Sequence, residues 1–272
     1  MEREYWFSEY QNRDFKISYR VDKFLAEVKS PFQTIEVFEN RFWGRVMVID
    51  GLTMVTDRDE HFYHEALVHP ALYTAPSPRR VLVVGGGDGG SLREVLKHPV
   101  DEAVLVEIDG EVIKLAKRYF PKLACGFDHP KAKVVIEDGA RFIRESKESF
   151  DSVIIDSSEP LGPSAVLFGR PFYEAVREKL SPGGTVACQA GGYLFHEEFL
   201  ESFSKGLSDL FPHACLYTGP TPTYQGGLWT YALFSTGRHP REAEWNPPVE
   251  LRYNTRERFL ASLVEEKGCP RS

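Results

Sequence analysis

The segment Gly85-Gly-Gly-Asp-Gly-Gly90 follows a short apolar run and precedes a stretch of helical composition, and it satisfies G-x-G-x-x-G at Gly85, Gly87 and Gly90. Such a turn brings bare backbone close to a ligand at the start of a helix. Glu107, about twenty residues on, ends the next apolar run, where a carboxylate can accept from both hydroxyls of a ribose. Taken literally, this is a dinucleotide fingerprint. Asp88 argues otherwise, because a carboxylate at that helix start would repel a pyrophosphate and attract a sulfonium or ammonium group. The pattern therefore favours an S-adenosyl-type nucleoside over a nicotinamide dinucleotide. Asp138-Gly139 ends a third apolar run and offers a side-chain acceptor beside bare backbone, suited to an adenine edge and equally to a helix cap.

A second acidic group, Asp156-Ser-Ser-Glu159, ends a fourth apolar run. If the runs are parallel strands, Asp88, Asp156 and Glu159 converge on one rim, and three carboxylates in one cleft repel each other unless a cation joins them. A divalent metal is one solution, but no inward histidine pair accompanies the carboxylates; a diamine or oligoamine fits better. An amine with a reference pKa of about 10.4 is neutral in only about one molecule in 10³ near pH 7, so using it as a nucleophile requires a proton acceptor. Asp156 is the candidate, helped by neighbouring carboxylates and a phenol such as Tyr63; Tyr63 and Tyr224 could also wall a methylene chain.

These residues need a scaffold that aligns the ends of several strands. Residues 1–58 read as short strands, including 34–38 and 45–50, with turns at Asn40, Gly44 and Gly51. A helix is expected from about Asp59 to Tyr73, before Pro76-Ser-Pro78. From residue 80, apolar runs at 80–84, 103–108, 132–136, 151–156 and 184–189 alternate with helical stretches. That alternation predicts an α/β domain over 59–240, with a mostly parallel, doubly wound sheet that binds ligands at the carboxyl ends of its strands. Residues 218–227 form a linker long enough to cover a site, and 241–272 form a C-terminal tail.

Bulk properties exclude other classes. The chain has 272 residues, 42% hydrophobic, and a formal net charge of -7 from 33 Lys+Arg against 40 Asp+Glu. It lacks the clustered basic face that nucleic-acid binding needs. Four scattered cysteines with no CxxC pair suggest neither a zinc site nor a disulfide framework. The charged N-terminus lacks a signal-peptide core, and no apolar run is long enough for a membrane span, so a cytoplasmic setting is expected.

The same motifs resemble the spermidine synthase (polyamine aminopropyltransferase) family. The similarity extends over residues 15–236 and includes Pro31-Phe-Gln33, Thr56-Asp-Arg-Asp-Glu60, Tyr63-His64-Glu65, Leu92-Arg-Glu-Val-Leu-Lys-His98, Val106-Glu-Ile-Asp109, Asp156-Ser-Ser-Glu-Pro-Leu-Gly-Pro163 and Pro222-Thr-Tyr-Gln-Gly-Gly227. The resemblance implies a small N-terminal β-domain before a methyltransferase-like Rossmann domain. It implies transfer of the aminopropyl group of decarboxylated S-adenosylmethionine, a co-substrate, to putrescine, giving spermidine and 5′-methylthioadenosine, with no permanently bound cofactor and no metal. Asp156 would accept the proton, with Tyr63 beside it. Gln33, Gly85, Gly87, Asp88, Glu107, Asp138, Gly139 and Pro163 would hold the donor, Asp88 through its amine. His64, Asp88, Asp156, Ser157, Ser158, Glu159, Gln189 and Tyr224 would line the polyamine path. A homodimer or homotetramer is implied. Agmatine, cadaverine or a triamine remain alternative acceptors, and the short C-terminal tail departs from the family's longer, aromatic-rich one. A methyltransferase and a non-catalytic polyamine-binding protein are the competing readings; the first would set Asp88 against the cofactor's carboxylate.

Overall fold

A computed structural model describes residues 4–158 and 162–264. The chain opens with an antiparallel hairpin, β1 (Tyr5–Tyr10) and β2 (Lys16–Val21). An antiparallel meander follows: β3 (Lys23–Lys29), β4 (Thr34–Asn40), β5 (Gly44–Ile49) and β6 (Leu52–Thr56), in that order across the sheet. Asp50 and Gly51, both at positive φ (48° and 81°), make the two-residue turn between β5 and β6. Such a turn matches the twist of paired strands, and Asp tolerates the left-handed conformation better than bulkier residues.

The helix α1 (Glu60–Thr74) is buried around nearly its whole circumference although it carries Glu60, His61, His64, Glu65 and His69. Burial on that scale obliges these polar groups to find partners inside the protein. The helix also passes through Pro70, which lacks the N–H that would bond Ala66; the Tyr217 hydroxyl donates to the Ala66 carbonyl instead, at 2.8 Å.

The main sheet comprises β7 (Arg80–Gly85), β8 (Glu102–Glu107), β9 (Ala132–Ile136), β10 (Phe150–Asp156), β11 (Leu180–Gly192), β12 (His213–Pro220) and β13 (Leu228–Ser235), in the order β12-β13-β11-β10-β7-β8-β9. Strands β11, β10, β7, β8 and β9 are parallel, while at one edge β13 pairs antiparallel with both β11 and β12. The expected mostly parallel sheet is therefore present, covered on both faces. Along β7, Val81 and Val83 join the core that includes α1, whereas Leu82 and Val84 face a second core, as the two-residue period of a strand requires. That second core is packed by α4 (Gly139–Glu145) and α5 (Arg170–Lys179); α6 (Glu197–Leu207) adds Phe203 and Leu207. The strand expected at 184–189 is longer, extending to Gly192, because β13 pairs along it through an irregularity between Gln189 and Gly191.

The chain leaves β7 for β8 on one side and later returns to β10 on the other. The crevice at this reversal lies at the carboxyl ends of β7 and β10, where Gly85 and Asp156 are register partners. Helices α2 (Gly90–Val95) and α3 (Gly110–Tyr119) start at this same rim. The C-terminal segment, whose role the sequence left open, folds back over α1. Trp245 stacks on Tyr73 at 4.8 Å, α7 (Arg256–Ala261) contributes the buried Phe259, and Glu65 accepts from the backbone N–H groups of Arg252, Tyr253 and Asn254. No helix among the described residues is long and apolar enough to cross a membrane.

Candidate active site

The glycine loop lets the ends of two strands close on each other. Gly86 N–H donates to the Asp156 carbonyl at 2.8 Å. Gly85 has φ 81°, and a Cβ there would lie 2.1 Å from that carbonyl oxygen, so no other residue fits. A Cβ on Gly87 would lie 2.9 Å from the Glu107 carboxylate. The bare loop thus faces Glu107 directly.

Two adjoining cavities open at this rim. The larger, about 1060 Å³ including its mouth, is lined by Gln33, Gly85, Gly86, Gly87, Asp88, Glu107, Asp138, Gly139 and Asp156. The smaller, about 390 Å³, is lined by Glu9, Gln189, Gln225 and Trp229. Met54, Tyr63, Ser157, Ser158 and Tyr224 line both, so they form the junction. The Ser157 hydroxyl is buried there and has no hydrogen-bond partner among the described residues. The larger space suits a nucleoside, and the narrower one, walled by Tyr224 and Trp229, suits an unbranched chain.

Asp156 lines the larger cavity beside the junction residues Tyr63 and Ser157, with both oxygens engaged: Tyr63 Oη donates to Oδ1 at 2.8 Å and Ser91 Oγ donates to Oδ2 at 2.6 Å. Burial and then the neighbouring Asp88 charge raise its pKa above the ordinary value, although His64, Ser91 and Tyr63 act in the opposite sense. Asp88 moves the other way. Burial opposes its ionisation, but the His64 charge and the Gly90 N–H, which donates to Oδ1 at 2.6 Å, outweigh burial and hold its pKa low. Two nearby carboxylates are thereby set apart, one a firm anion and one a better base.

Glu107 is buried, and desolvation raises its pKa to about 7, although the Asp109 and Gly87 N–H groups partly stabilise the anion. Asp138 lines the cavity and also caps α4, accepting from Ala140 and Arg141 N–H. Gln33 Nε2 and Ser30 Oγ both donate to Asp109, tying the meander to the rim.

Two residues expected along the amine path sit differently. His64 lines neither cavity; it is buried behind Asp88, with Nδ1 at 2.9 Å from Glu60 and Nε2 at 3.4 Å from Asp88. Gln189 lines the smaller cavity, but its amide is already engaged. Nε2 donates to the Ser157 and Ser158 carbonyls, while Oε1 accepts from Trp229 Nε1 and Gly191 N–H. Its full hydrogen-bonding capacity therefore shapes the wall. Glu159 and the side chain of Pro163 lie outside the described residues. Ser91, Glu9 and Trp229 were not singled out in the sequence, and Glu60, Arg93 and Gln225 lay in family-like blocks without an assigned role. Only Glu60 carried a local signal, its spacing of four from His64 on one helix face.

His64, Asp88 and Asp156 bring one candidate metal-ligand atom each to within 4.8 Å of one another. Burial would lower the His64 pKa, but Asp88 and Glu60 outweigh it and raise the pKa well above the ordinary value. An imidazolium has no lone pair for a metal.

Comparison with known proteins identifies the family. Residues 60–243 match the spermine/spermidine synthase domain, and residues 5–57 match the spermidine synthase tetramerisation domain. A polyamine aminopropyltransferase from Desulforudis audaxviator (strain MP104C) is 44% identical over 262 residues, covering 95% of each chain. The crystal structure of a spermidine synthase in complex with the transition state analogue AdoDATO superposes with a TM-score of 0.92 at 36% identity, covering 96% of this chain and 92% of that one. The spermidine synthase from Thermotoga maritima gives 0.91 at 35% identity, covering 97% and 92%.

Proposed function

The chain belongs to the spermine/spermidine synthase family and is an aminopropyltransferase, and on that premise we propose that it transfers the aminopropyl group of decarboxylated S-adenosylmethionine to putrescine, yielding spermidine and 5′-methylthioadenosine. The observation that carries the reading is the position of Asp156 in the nucleoside-sized cavity, held by Ser91 and by Tyr63, a residue that also lines the narrow, aromatic-walled cavity next to it.

In this reading the larger cavity takes the donor. Glu107 accepts from the ribose hydroxyls, Asp138 and Gly139 meet the adenine edge, and Asp88 pairs with the terminal ammonium of the aminopropyl arm. Gln33, through Asp109, keeps the meander closed over the nucleoside. The diamine occupies the smaller cavity, its far ammonium toward Glu9 and its near nitrogen toward Asp156 and the Ser157 hydroxyl. The sulfonium beside that near nitrogen lowers the ammonium's affinity for its proton, and burial raises that of Asp156; both changes make proton transfer less uphill. The freed lone pair attacks the methylene next to sulfur. The new C–N bond forms as the C–S bond breaks, the electron pair of that bond leaves with sulfur as neutral methylthioadenosine, and the proton stays on Asp156. Alignment of the two reactants in adjoining cavities accounts for much of the rate gain.

No metal is part of this reading; the Tyr63 and Ser91 hydroxyls already donate to the two oxygens of Asp156. The hairpin and meander expose Tyr5, Trp6, Tyr10, Phe24 and Phe42, and the match of residues 5–57 to a tetramerisation domain supports a homo-oligomer built through that region. The deciding experiment is an amine panel of putrescine, cadaverine, agmatine and spermidine with the decarboxylated donor, scored by methylthioadenosine formed and by product mass. Putrescine should be preferred and gain one aminopropyl group. Gain of a methyl group instead would identify a methyltransferase, and preference for another amine would change the acceptor.

A further inference from the structure

Behind Asp88, charged side chains of alternating sign run inward from the outer side of α2. Lys97 Nζ lies 2.7 Å from Glu94 Oε2, and Glu94 Oε1 lies 2.8 Å from Arg93 Nη2. The Arg93 guanidinium takes Glu60 with two parallel hydrogen bonds, Nη1 to Oε1 at 3.1 Å and Nη2 to Oε2 at 2.8 Å. Glu60 Oε2 meets His64 Nδ1 at 2.9 Å, and His64 Nε2 faces Asp88 Oδ1 at 3.4 Å. Arg252, from the C-terminal segment, approaches Glu60 Oε1 at 3.7 Å, and His69 Nε2 bonds Glu94 at 2.8 Å.

The order is plus, minus, plus, minus, plus, minus, and it ends on Asp88 at the wall of the larger cavity. Inside a protein such a series holds together because every charge has an opposite neighbour on each side; removing one leaves the next uncompensated. Asp88 ends the series at the cavity wall beside the Asp156 carboxylate, and a cation bound there would continue the alternation. Packing fixes the ring as firmly as charge does: a Cβ on Gly90 would lie 2.2 Å from the His64 ring, which therefore lies flat on the bare start of α2. His64 Nε2 has no aligned hydrogen-bond partner among the described residues, so its contact with Asp88 is an ion pair set by where the ring is held.

We propose that Glu60, gripped by Arg93, is a positioning residue for the donor: it fixes the His64 ring against Asp88 and thereby aims the Asp88 carboxylate at the donor's terminal ammonium. Glu60 lines neither cavity and acts only through the two residues between it and the ligand. The inference rests on the assignment of Asp88 to that ammonium, and its consequence is selective. Loss of the Glu60 charge should weaken a ligand that carries the ammonium and leave one that lacks it unaffected.

Calorimetric titration of decarboxylated S-adenosylmethionine and of 5′-methylthioadenosine, which keeps the nucleoside and sulfur but has no ammonium, separates the possibilities. Glu60→Gln should weaken the first by at least about tenfold, the range for a charge-assisted contact, and the second by less than about twofold. In an Asp88→Ala background the same substitution should change donor affinity by less than about twofold, since residues acting in series are not additive. Equal weakening of both ligands, or an undiminished loss in the Asp88→Ala background, would overturn the proposal. Arg93→Lys keeps the charge and removes the two-pronged grip, so it serves if Glu60→Gln does not fold; it should weaken the donor alone by roughly three- to tenfold. An unchanged donor affinity there would also count against the role. Failure of the parent protein to bind either nucleoside would instead refute the aminopropyl-transfer reading itself.

Discussion

Tyr63 Oη donates to Asp156 Oδ1 at 2.8 Å across the junction of the two cavities, linking the buried helix α1 to the end of β10. With Ser91 on the other oxygen, the carboxylate is held in one orientation while its burial keeps it a better base than an exposed aspartate. Asp156→Asn should therefore lower kcat by at least about 10² through loss of the proton acceptor, with methylthioadenosine affinity almost unchanged. Tyr63→Phe removes one donor that favours the ionised form. It should lower kcat by about tenfold and move the acid limb of the pH–rate profile to higher pH. Steady-state kinetics from pH 6 to 9 measure both, and a normal kcat for Asp156→Asn would remove its assigned role.

The burial that would let Glu107 meet a ribose carries a cost to stability. Its pKa, about 7 in the folded protein against an ordinary 4.5, means that the folded state holds a proton the unfolded chain has lost between those values. Stability accordingly falls as pH rises through that window, and above it the ionised, buried carboxylate costs about 3 kcal/mol. Glu107→Gln should raise the melting temperature of the ligand-free protein at pH 8 and lower nucleoside affinity by at least about tenfold. Because ribose hydroxyls favour the anion, methylthioadenosine binding near pH 6 should release a proton, read by calorimetry in buffers of different ionisation enthalpy. A destabilised Glu107→Gln protein would contradict this account.

What could be read from the residues, and what could not, follows the range of the interactions. Gly85, Asp88, Glu107, Asp138 and Asp156 each sit at the end of an apolar run, and a parallel sheet delivers such ends to one rim whatever the details of packing. Their convergence was therefore legible from period and punctuation alone. Ser91 was not, because its hydroxyl reaches Asp156 only through the pairing of β7 with β10. Glu9 and Gln225, which meet across 216 positions of sequence, come together only when the N-terminal hairpin closes over the loop after β12. His64 was placed along the amine path by the family resemblance alone; it lies one residue on from Tyr63, and that turn of the helix, about 100°, points it under Asp88. The burial of α1 was also hidden, since a helix with five Glu and His side chains reads as solvent-exposed until Arg93, His98 and the C-terminal backbone supply its partners.

The C-terminal segment should matter for stability and not for nucleoside binding. The fully buried Glu65 carboxylate accepts three backbone N–H groups at 2.6–2.9 Å. A Gln at this position has one acceptor oxygen and would turn its own N–H₂ toward a donor, so Glu65→Gln should cost about 2–4 kcal/mol. Urea unfolding should show a lower midpoint, while methylthioadenosine affinity stays within about twofold of the parent. An unshifted midpoint would mean that this anchor contributes little.

Glu9 offers the sharpest test of how the smaller cavity reads its ligand. Its carboxylate is brought to the cavity by β1 and held by Thr53 N–H at 2.9 Å and by Gln225 Nε2. Those contacts orient its carboxylate at the cavity wall, and the nearby walls, Tyr224 and Trp229, are aromatic. A diamine lying along these walls with one nitrogen at Asp156 would present its other ammonium to Glu9, a desolvated ion pair that a monoamine of equal length cannot make. Glu9→Gln should raise the KM for putrescine by at least about tenfold while leaving the donor KM unchanged. Butylamine supplies the control, since its poor turnover should be nearly the same in the parent and the variant. If the substitution weakened both amines alike, Glu9 would be shaping the wall and not reading the charge.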